Sequence, residues 1–374
     1  MVQKYDLAII GAGPGGYVAA LRAAQFGLKV VCIDKRETIG GTCLNVGCIP
    51  SKALLQSTEL YAHLKAEGKN LGIFFSDLKV DYEQMMARKE KVVHSLIHGI
   101  ATLFKKQKVT FLQGTAHFID AHHLLIKGRE VEDTIEATSI IIATGSEPIE
   151  LPFLPFDQKK IISSTEALSL KNLPEKLAVV GGGVIGVELA SVFSRLGTKV
   201  TVIEMLPEIC PGMDKAISKQ LLQLLKNQGI EFFLSSRLKG GKINQEGVAL
   251  ELAEEKESRV VQADLALVAI GRKPNAEQLQ LKNIGIELDE KGFIPVDGCF
   301  RTQQPHIFAI GDIIKGALLA HRASQEAMAV VDFLTKNYST IDYISIPNVV
   351  YTSPEAASVG ITEQEALALP LETL

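Results

Sequence analysis

The feature that most constrains the fold of this chain is an internal repeat. Residues 7–34, LAIIGAGPGGYVAALRAAQFGLKVVCID, and residues 177–204, LAVVGGGVIGVELASVFSRLGTKVTVIE, align without a gap at an offset of 170. Each copy opens on a short apolar run suited to a buried parallel strand, passes through glycines into a helical stretch, and ends on a second strand, the βαβ pattern. Gly11 and Gly181 permit a tight turn, Gly13 and Gly183 let backbone amides approach a pyrophosphate, and Gly16 and Gly186 allow close helix packing. Phosphate then sits at a helix N-terminus. Asp34 and Glu204, each 23 residues beyond the first glycine, are placed at the end of the second strand to accept hydrogen bonds from ribose hydroxyls. One such glycine pattern is a weak signal; two copies in register, each with its acid, predict two Rossmann-like dinucleotide sites in an α/β chain.

Each copy closes on a matching strand and turn, IIIATGSEP at 140–148 and ALVAIGRKPN at 266–275. Pro148, Pro152, Pro155 and Pro174 punctuate the stretch after the first of these, which suits neither a continuous helix nor a central strand, so a boundary falls near residue 148. Later, FRTQQPHIFAIGDI at 300–313 supplies another strand ending at Gly311 and Asp312, and LAHRASQEAMAVVDFL at 319–334 a helix. Residues 82–107 also pattern as a helix, with Met85, Val92, Leu96, Ile100 and Leu103 on one face. His94 and His98 share an i, i+4 spacing there, but no carboxylate or cysteine completes a ligand set, and a solvated face is the expectation. His122 and His123 read as loop.

The stretch GGTCLNVGCIPSK at 40–52 sets Cys43 and Cys48 five positions apart, directly after the first terminal acid. On a regular helix five residues turn through about 500° and rise about 7.5 Å, leaving the side chains roughly 140° apart. A disulfide needs Cα atoms within about 7 Å, so closing one here requires a departure from regular helix, which Gly40, Gly41 and Gly47 permit. A half-built metal site is the competing reading, weakened by the loose spacing and by the lack of a second cysteine pair in the chain. A working dithiol also favours nearby positive charge, which Lys52 can supply.

Composition narrows the classes. At 374 residues the chain is long enough for two or three domains, and 47% hydrophobic with 22% charged residues is globular. A formal charge of −4 without basic runs argues against nucleic acid as a partner. The longest uncharged apolar stretch, 7–21, is broken by glycines and Pro14 and is too short to span a membrane. Cys32, Cys210 and Cys299 look like lone thiols, which together with the absence of a visible signal or transit peptide gives a reducing, bacterial-type cytoplasmic location as the expectation.

GAGPGGYVAA, GGTCLNVGCIPSK, IIATGSEP, GGGVIGVELA, AIGRKPN and IFAIGD together resemble, in order, the motif set of the class I pyridine nucleotide-disulfide oxidoreductases, over essentially the whole chain. Within that family GGTCLNVGCIPSK followed by ALL looks most like the branch that oxidises protein-bound dihydrolipoyl groups of 2-oxo acid dehydrogenase and glycine cleavage complexes, and less like glutathione reductases. The resemblance implies FAD in the first site and NAD in the second. It gives Cys43 as the thiol that meets the substrate, Cys48 as the thiol against the flavin, Lys52 and Glu188 as a pair beside the flavin ring, and Asp312 near the ribityl chain. It adds Thr42, Lys52, Thr144, Gly145, Gly311 and Gly271 to the cofactor-binding set. Glu204 favours the free 2′-hydroxyl of NAD over the 2′-phosphate of NADP on physical grounds as well.

The implied organisation is an FAD domain at 1–147, an NAD domain at 148–272, a central segment at 273–345 returning to the FAD domain, and the start of an α+β dimerisation domain at 346–374. The family's active site is built across a homodimer, with a His-Glu proton relay expected in the part of that domain lying beyond Leu374; His321 is not a substitute for it. Two alternatives stay open at this level: a fragment that binds cofactors, or passes electrons only to dyes, without the relay, and an NADH-dependent reductase of another disulfide or of a metal ion.

Overall fold

A computed structural model of the chain describes residues 2–128, 132–253, 259–338 and 340–369. The chain divides into two units, Met1–Asn45 with Val93–Glu147 and Arg272–Tyr343, and Val46–Val92 with Pro148–Gly271 and Ile344–Leu374.

In the first unit, Leu7, Ala8, Ile9 and Ile10 of strand Gln3–Ile10 are all buried, as expected of a strand covered on both faces. It pairs in parallel with Val30–Asp34 on one side and Glu132–Ile142 on the other, and Thr110–Gln113 extends the sheet beyond Val30–Asp34. The helix Pro14–Gln25 buries Ala19, Ala20 and Ala23, whose small side chains let it lie close to its neighbours; they share the core with Ala327, Val330 and Val331 of helix Ala320–Lys336.

Strand Glu132–Ile142 changes partner along its length. Its first half pairs antiparallel with His123–Lys127, and its end pairs in parallel with Ile307–Ala309. His122 and His306 sit at the changeover, their rings stacked with centroids 4.2 Å apart. A ring nitrogen of His122 lies 3.0 Å from the Ala137 carbonyl and one of His306 lies 2.8 Å from the Ala121 carbonyl. The loop expectation for 122–123 thus needs correction: His123 begins a strand, and His122 is a fixed part of the splice that positions the strand leading into Gly311.

The second unit repeats the architecture. Glu231–Phe233, Lys199–Ile203, Lys176–Val180, Leu265–Val268 and Ile161–Ile162 form an all-parallel sheet in that order. The proline-rich connector contributes only the short edge strand Ile161–Ile162 and the helical turn Ser164–Ala167, with Ser163 and Glu166 forming a capping box. A three-stranded antiparallel sheet, Arg237–Asn244, Gly247–Ala253 and Arg259–Ala263, buries Val248, Leu250 and Leu252 at alternate positions. That period-two signal was present in GVALELA, yet sequence reasoning did not use it.

Helix Tyr82–Lys106 forms where patterning predicts it, and His94 and His98 are exposed. Of the predicted face, Val92 is half-buried and Met85 and Ile100 are half-buried against core clusters. Leu96 and Leu103 are exposed, whereas Lys89, Val93 and Phe104 are buried. Lys89 can be buried because its ammonium donates to the Leu168 carbonyl at 2.7 Å and pairs with the Glu90 carboxylate at 2.7 Å, leaving no unmet charge-assisted hydrogen bond.

Candidate active site

The two glycine turns are near copies. Gly11 and Gly181 hold φ of +107° and +110°, conformations that side chains rarely adopt. A Cβ at Gly16 would fall on the Gly11 carbonyl, and one at Gly186 on the Gly181 carbonyl, so strand-to-helix packing excludes any side chain there. Gly186→Ala is expected to cost about 1–3 kcal/mol through this overpacking, read as a lowered midpoint in urea.

The helices that follow, Pro14–Gln25 and Val184–Arg195, are capped by Gly13 and Gly183 with no side chain hydrogen-bonded at the cap. Their first-turn amides are left to a ligand. A Cβ at Gly183 would meet nothing within 4 Å, and one at Gly13 only the Cα of Gly41 at 4.0 Å. Both turns therefore face open space at a helix N-terminus, and these residues fit the pyrophosphate of a dinucleotide. Gly41, at φ +57°, completes the first cradle by backbone approach: a Cβ there would lie 2.6 Å from the Gly13 Cα.

The two terminal acids do more than their spacing suggested. Asp34 accepts from the amides of Ala12 and Arg36, both at 2.8 Å. Glu204 accepts from Gly182 at 2.6 Å and Leu206 at 2.7 Å. Each carboxylate pins the glycine turn to the end of the second strand, and its remaining lone pairs stay available to ribose hydroxyls.

Three motifs far apart in sequence converge in the first unit. The Arg272 guanidinium donates to the Ser146 hydroxyl at 2.7 Å and to its carbonyl at 2.6 Å, and that hydroxyl donates to Asp312 at 2.6 Å. Beside them the Thr144 hydroxyl donates to the Asn275 carbonyl, and the Asn275 amide donates to the Gly145 carbonyl. The Gly271 carbonyl, by contrast, is spent within the second unit on the Ile149 amide. Sequence reasoning named Asp312 but missed Ser146 and Arg272, although both stand inside the quoted IIIATGSEP and AIGRKPN. Ser146→Ala is expected to cost about 1–3 kcal/mol, because it leaves hydrogen-bonding groups of Arg272 and Asp312 unmatched; urea denaturation checks the magnitude.

Asp312 belongs to a loop held from behind by a buried ion pair. Glu326, fully buried, accepts from the Gly311 amide at 2.7 Å, from Arg322 Nε at 2.7 Å and from the Tyr343 hydroxyl at 2.9 Å. Arg322 also donates to the carbonyls of Lys315 and Ala317, and a Cβ at Gly316 would collide with its guanidinium. Burial holds the Glu326 carboxyl above its usual range against the opposing pull of Arg322.

Around the cysteines the chain departs from regular helix. Cys43 lies in the short helix Gly41–Val46, where Asn45 donates to the Gly41 carbonyl at 2.8 Å and accepts from the Thr38 hydroxyl at 2.7 Å. Thr42 precedes it, half-buried. Gly47, at φ −143° and ψ −114°, breaks the helix, and Cys48 opens the next one, Cys48–Glu67. Pro50 falls in that helix's first turn, where its missing amide hydrogen costs nothing. Both cysteines are half-buried. Cys32 and Cys210 differ from them: burial pushes the Cys32 thiol far up, with Asp34 adding to it, and Cys210 up to about 12, with Glu188 and Glu204 adding to it. These two are inert, protonated thiols.

Lys52 and Glu188 meet. The ammonium lies 2.8 and 3.0 Å from the two carboxylate oxygens, and only 4% of the Glu188 side chain is exposed. Tyr351, which sequence reasoning missed, donates its backbone amide to the same carboxylate at 3.0 Å and places its ring 4.6 Å from the Lys52 ammonium. Among the described residues no cluster of three histidine, cysteine or acidic side chains is placed to hold a metal, and no helix is long and apolar enough to cross a membrane.

Comparison with known proteins agrees with this geometry. The family model of pyridine nucleotide-disulphide oxidoreductases matches residues 5–327. A mitochondrial dihydrolipoyl dehydrogenase of Schizosaccharomyces pombe is 48% identical over 367 residues, covering 97% of this chain and 72% of that protein. The mitochondrial dihydrolipoyl dehydrogenase of Pisum sativum is 46% identical over 366 residues, with 97% and 73% covered. A solved structure, the Cu(II) complex of the HOCl-induced flavoprotein disulfide reductase RclA from Escherichia coli, superposes with a TM-score of 0.85 at 29% identity, covering 98% of this chain and 79% of that one. The expectation of a bacterial-type cytoplasmic location is overturned by these relatives, since the fission yeast and pea proteins are mitochondrial. Cysteine usage reported only a reducing environment; the compartment is set by address segments read separately from the folded body. With its motifs, its two dinucleotide turns and a family match over most of its length, the chain belongs to the pyridine nucleotide-disulphide oxidoreductase family.

Proposed function

We propose that the chain oxidises protein-bound dihydrolipoamide to lipoamide and reduces NAD+ to NADH, using FAD and a redox-active disulfide between Cys43 and Cys48. The observation that carries this reading is the cysteine pair at a helix break, following the strand that ends at Asp34, with Cys48 one helical turn before the Lys52–Glu188 pair. The dihydrolipoyl dehydrogenases at 46–48% identity support it.

One substrate thiol loses its proton to solvent and its thiolate attacks Cys43 Sγ; the Cys43–Cys48 bond breaks, and Cys48 leaves as thiolate. The second substrate thiol displaces Cys43 from the mixed disulfide and its proton passes to the Cys43 sulfur, giving cyclic lipoamide and a thiol-thiolate pair that holds the two electrons. Bound FAD supplies the two-electron carrier between this dithiol and NAD+. Cys48 opens a 20-residue helix, whose positive dipole end favours the negative charge it takes up.

In this reading Gly11, Gly13, Gly16, Asp34, Thr42, Lys52, Thr144, Gly145, Gly311 and Asp312 bind FAD, and Gly181, Gly183, Gly186, Glu204 and Gly271 bind NAD. The partners are lipoyl groups of 2-oxo acid dehydrogenase or glycine cleavage complexes, and the working form is a homodimer.

Assaying the purified protein tests the assignment. Dihydrolipoamide with NAD+ is expected to yield NADH, with NADP+ supporting less than about a tenth of the rate because Glu204 meets a 2′-phosphate with repulsion. Turnover of glutathione disulfide with NADPH in preference would contradict it.

A further inference from the structure

Lys52 lies four residues after Cys48 on the same helix, so the two share a face. A lysine on a flexible four-carbon stem holds one direction only when its ammonium is bound from more than one side. Glu188 binds it from one side through both oxygens. The Tyr351 ring binds it from another, and the Tyr351 backbone amide fixes the Glu188 oxygen that lies 3.0 Å from the ammonium. The backbone that carries the ring is anchored, since Val350 and Thr352 are buried and the Thr352 hydroxyl donates to the Pro354 carbonyl at 2.7 Å, while Tyr351 itself is 38% exposed.

We infer that Tyr351 is a positioning residue: its ring holds the Lys52 ammonium toward the Cys48 end of the helix, where it stabilises the thiolate that Cys48 becomes when the disulfide opens. The inference rests on the proposed role of Cys48. The aromatic face attracts the cation without neutralising it, unlike a second carboxylate, so Lys52 keeps charge to spare for the sulfur. Of the groups around the pair, the Cys210 thiol is pushed up to about 12 by burial, with Glu188 and Glu204 adding to it.

The test is an anaerobic pH titration of the full-length holoenzyme reduced by two electrons, following the long-wavelength thiolate-to-flavin absorbance in wild type, Tyr351→Phe, Tyr351→Leu and Tyr351→Met. Wild type and Tyr351→Phe are expected to share one midpoint, because both carry a ring. The leucine and methionine variants, which keep the backbone amide on Glu188, are expected to shift the midpoint upward by half a pH unit or more, about threefold in the equilibrium. Their kcat for dihydrolipoamide should fall about threefold with KM little changed. Two non-aromatic variants guard against one failing to fold. An unshifted midpoint in either folded non-aromatic variant overturns the inference, as does an equal shift in Tyr351→Phe. Absence of the band in wild type defeats the Cys48 reading itself, and the inference with it.

Discussion

Cys48→Ser is expected to lower dihydrolipoamide oxidation at least about a thousandfold, equivalent to about 4 kcal/mol in the activation barrier. The serine hydroxyl has nearly the size of the thiol, so the helix beginning at residue 48 and its Pro50 turn should be undisturbed. What disappears, in the proposed reaction, is the sulfur that leaves when the substrate attacks Cys43 and that holds the electron pair afterwards. Without it no disulfide exists to open, and Cys43 alone has no partner from which to displace a leaving group. Reduction of dyes by NADH needs no disulfide and should survive within about threefold, which separates loss of the dithiol from loss of cofactor. Steady-state assays of both activities check this, and a Cys48→Ser enzyme oxidising dihydrolipoamide at wild-type rate would refute the assignment.

The second large effect is on stability. Glu326→Ala removes the carboxylate that receives the Gly311 amide, Arg322 and Tyr343, leaving a buried guanidinium without its counter-charge. Breaking a buried pair from one side costs about 3–5 kcal/mol. The loss should appear as a lower urea midpoint and as release of FAD at lower denaturant than wild type, since the freed loop carries Asp312. Glu326→Gln, which keeps an acceptor for the Gly311 amide, should lose less. Equal stability of Glu326→Ala and wild type would show that the network does not hold the loop.

These two effects mark the limits of what the sequence disclosed. Glycine turns were legible because a tight turn and a close helix approach each demand a residue type at a fixed distance along the chain, and the terminal acids stand at the strand end expected of them, where they accept from amides of the turn. The helix break at the cysteines was legible for the same reason: closing a disulfide at that spacing excludes regular helix, and Gly47 breaks the helix between the two residues. Contacts between segments were not legible. Ser146 and Arg272 lie 126 residues apart and Lys52 and Glu188 lie 136 apart, so only folding brings them together. The Lys52–Glu188 pair was anticipated only by resemblance, while Tyr351, Glu326 and Arg322 carried no local signal that set them apart from other aromatic or charged residues. Lys89 shows the opposite failure, a charged residue outside the predicted apolar face that is buried with the Leu168 carbonyl and the Glu90 carboxylate on its ammonium.

In the proposed reaction Cys43 and Cys48 have different tasks, and one measurement addresses that directly: anaerobic visible spectra of wild type, Cys43→Ser and Cys48→Ser. Dihydrolipoamide should raise the long-wavelength thiolate-to-flavin band in wild type. Cys43→Ser, in which Cys48 is already a thiol, should show the band without any reductant, and Cys48→Ser should never show it. A band in Cys48→Ser, or none in Cys43→Ser and reduced wild type, would contradict the assignment of Cys48 as the thiol that faces the flavin.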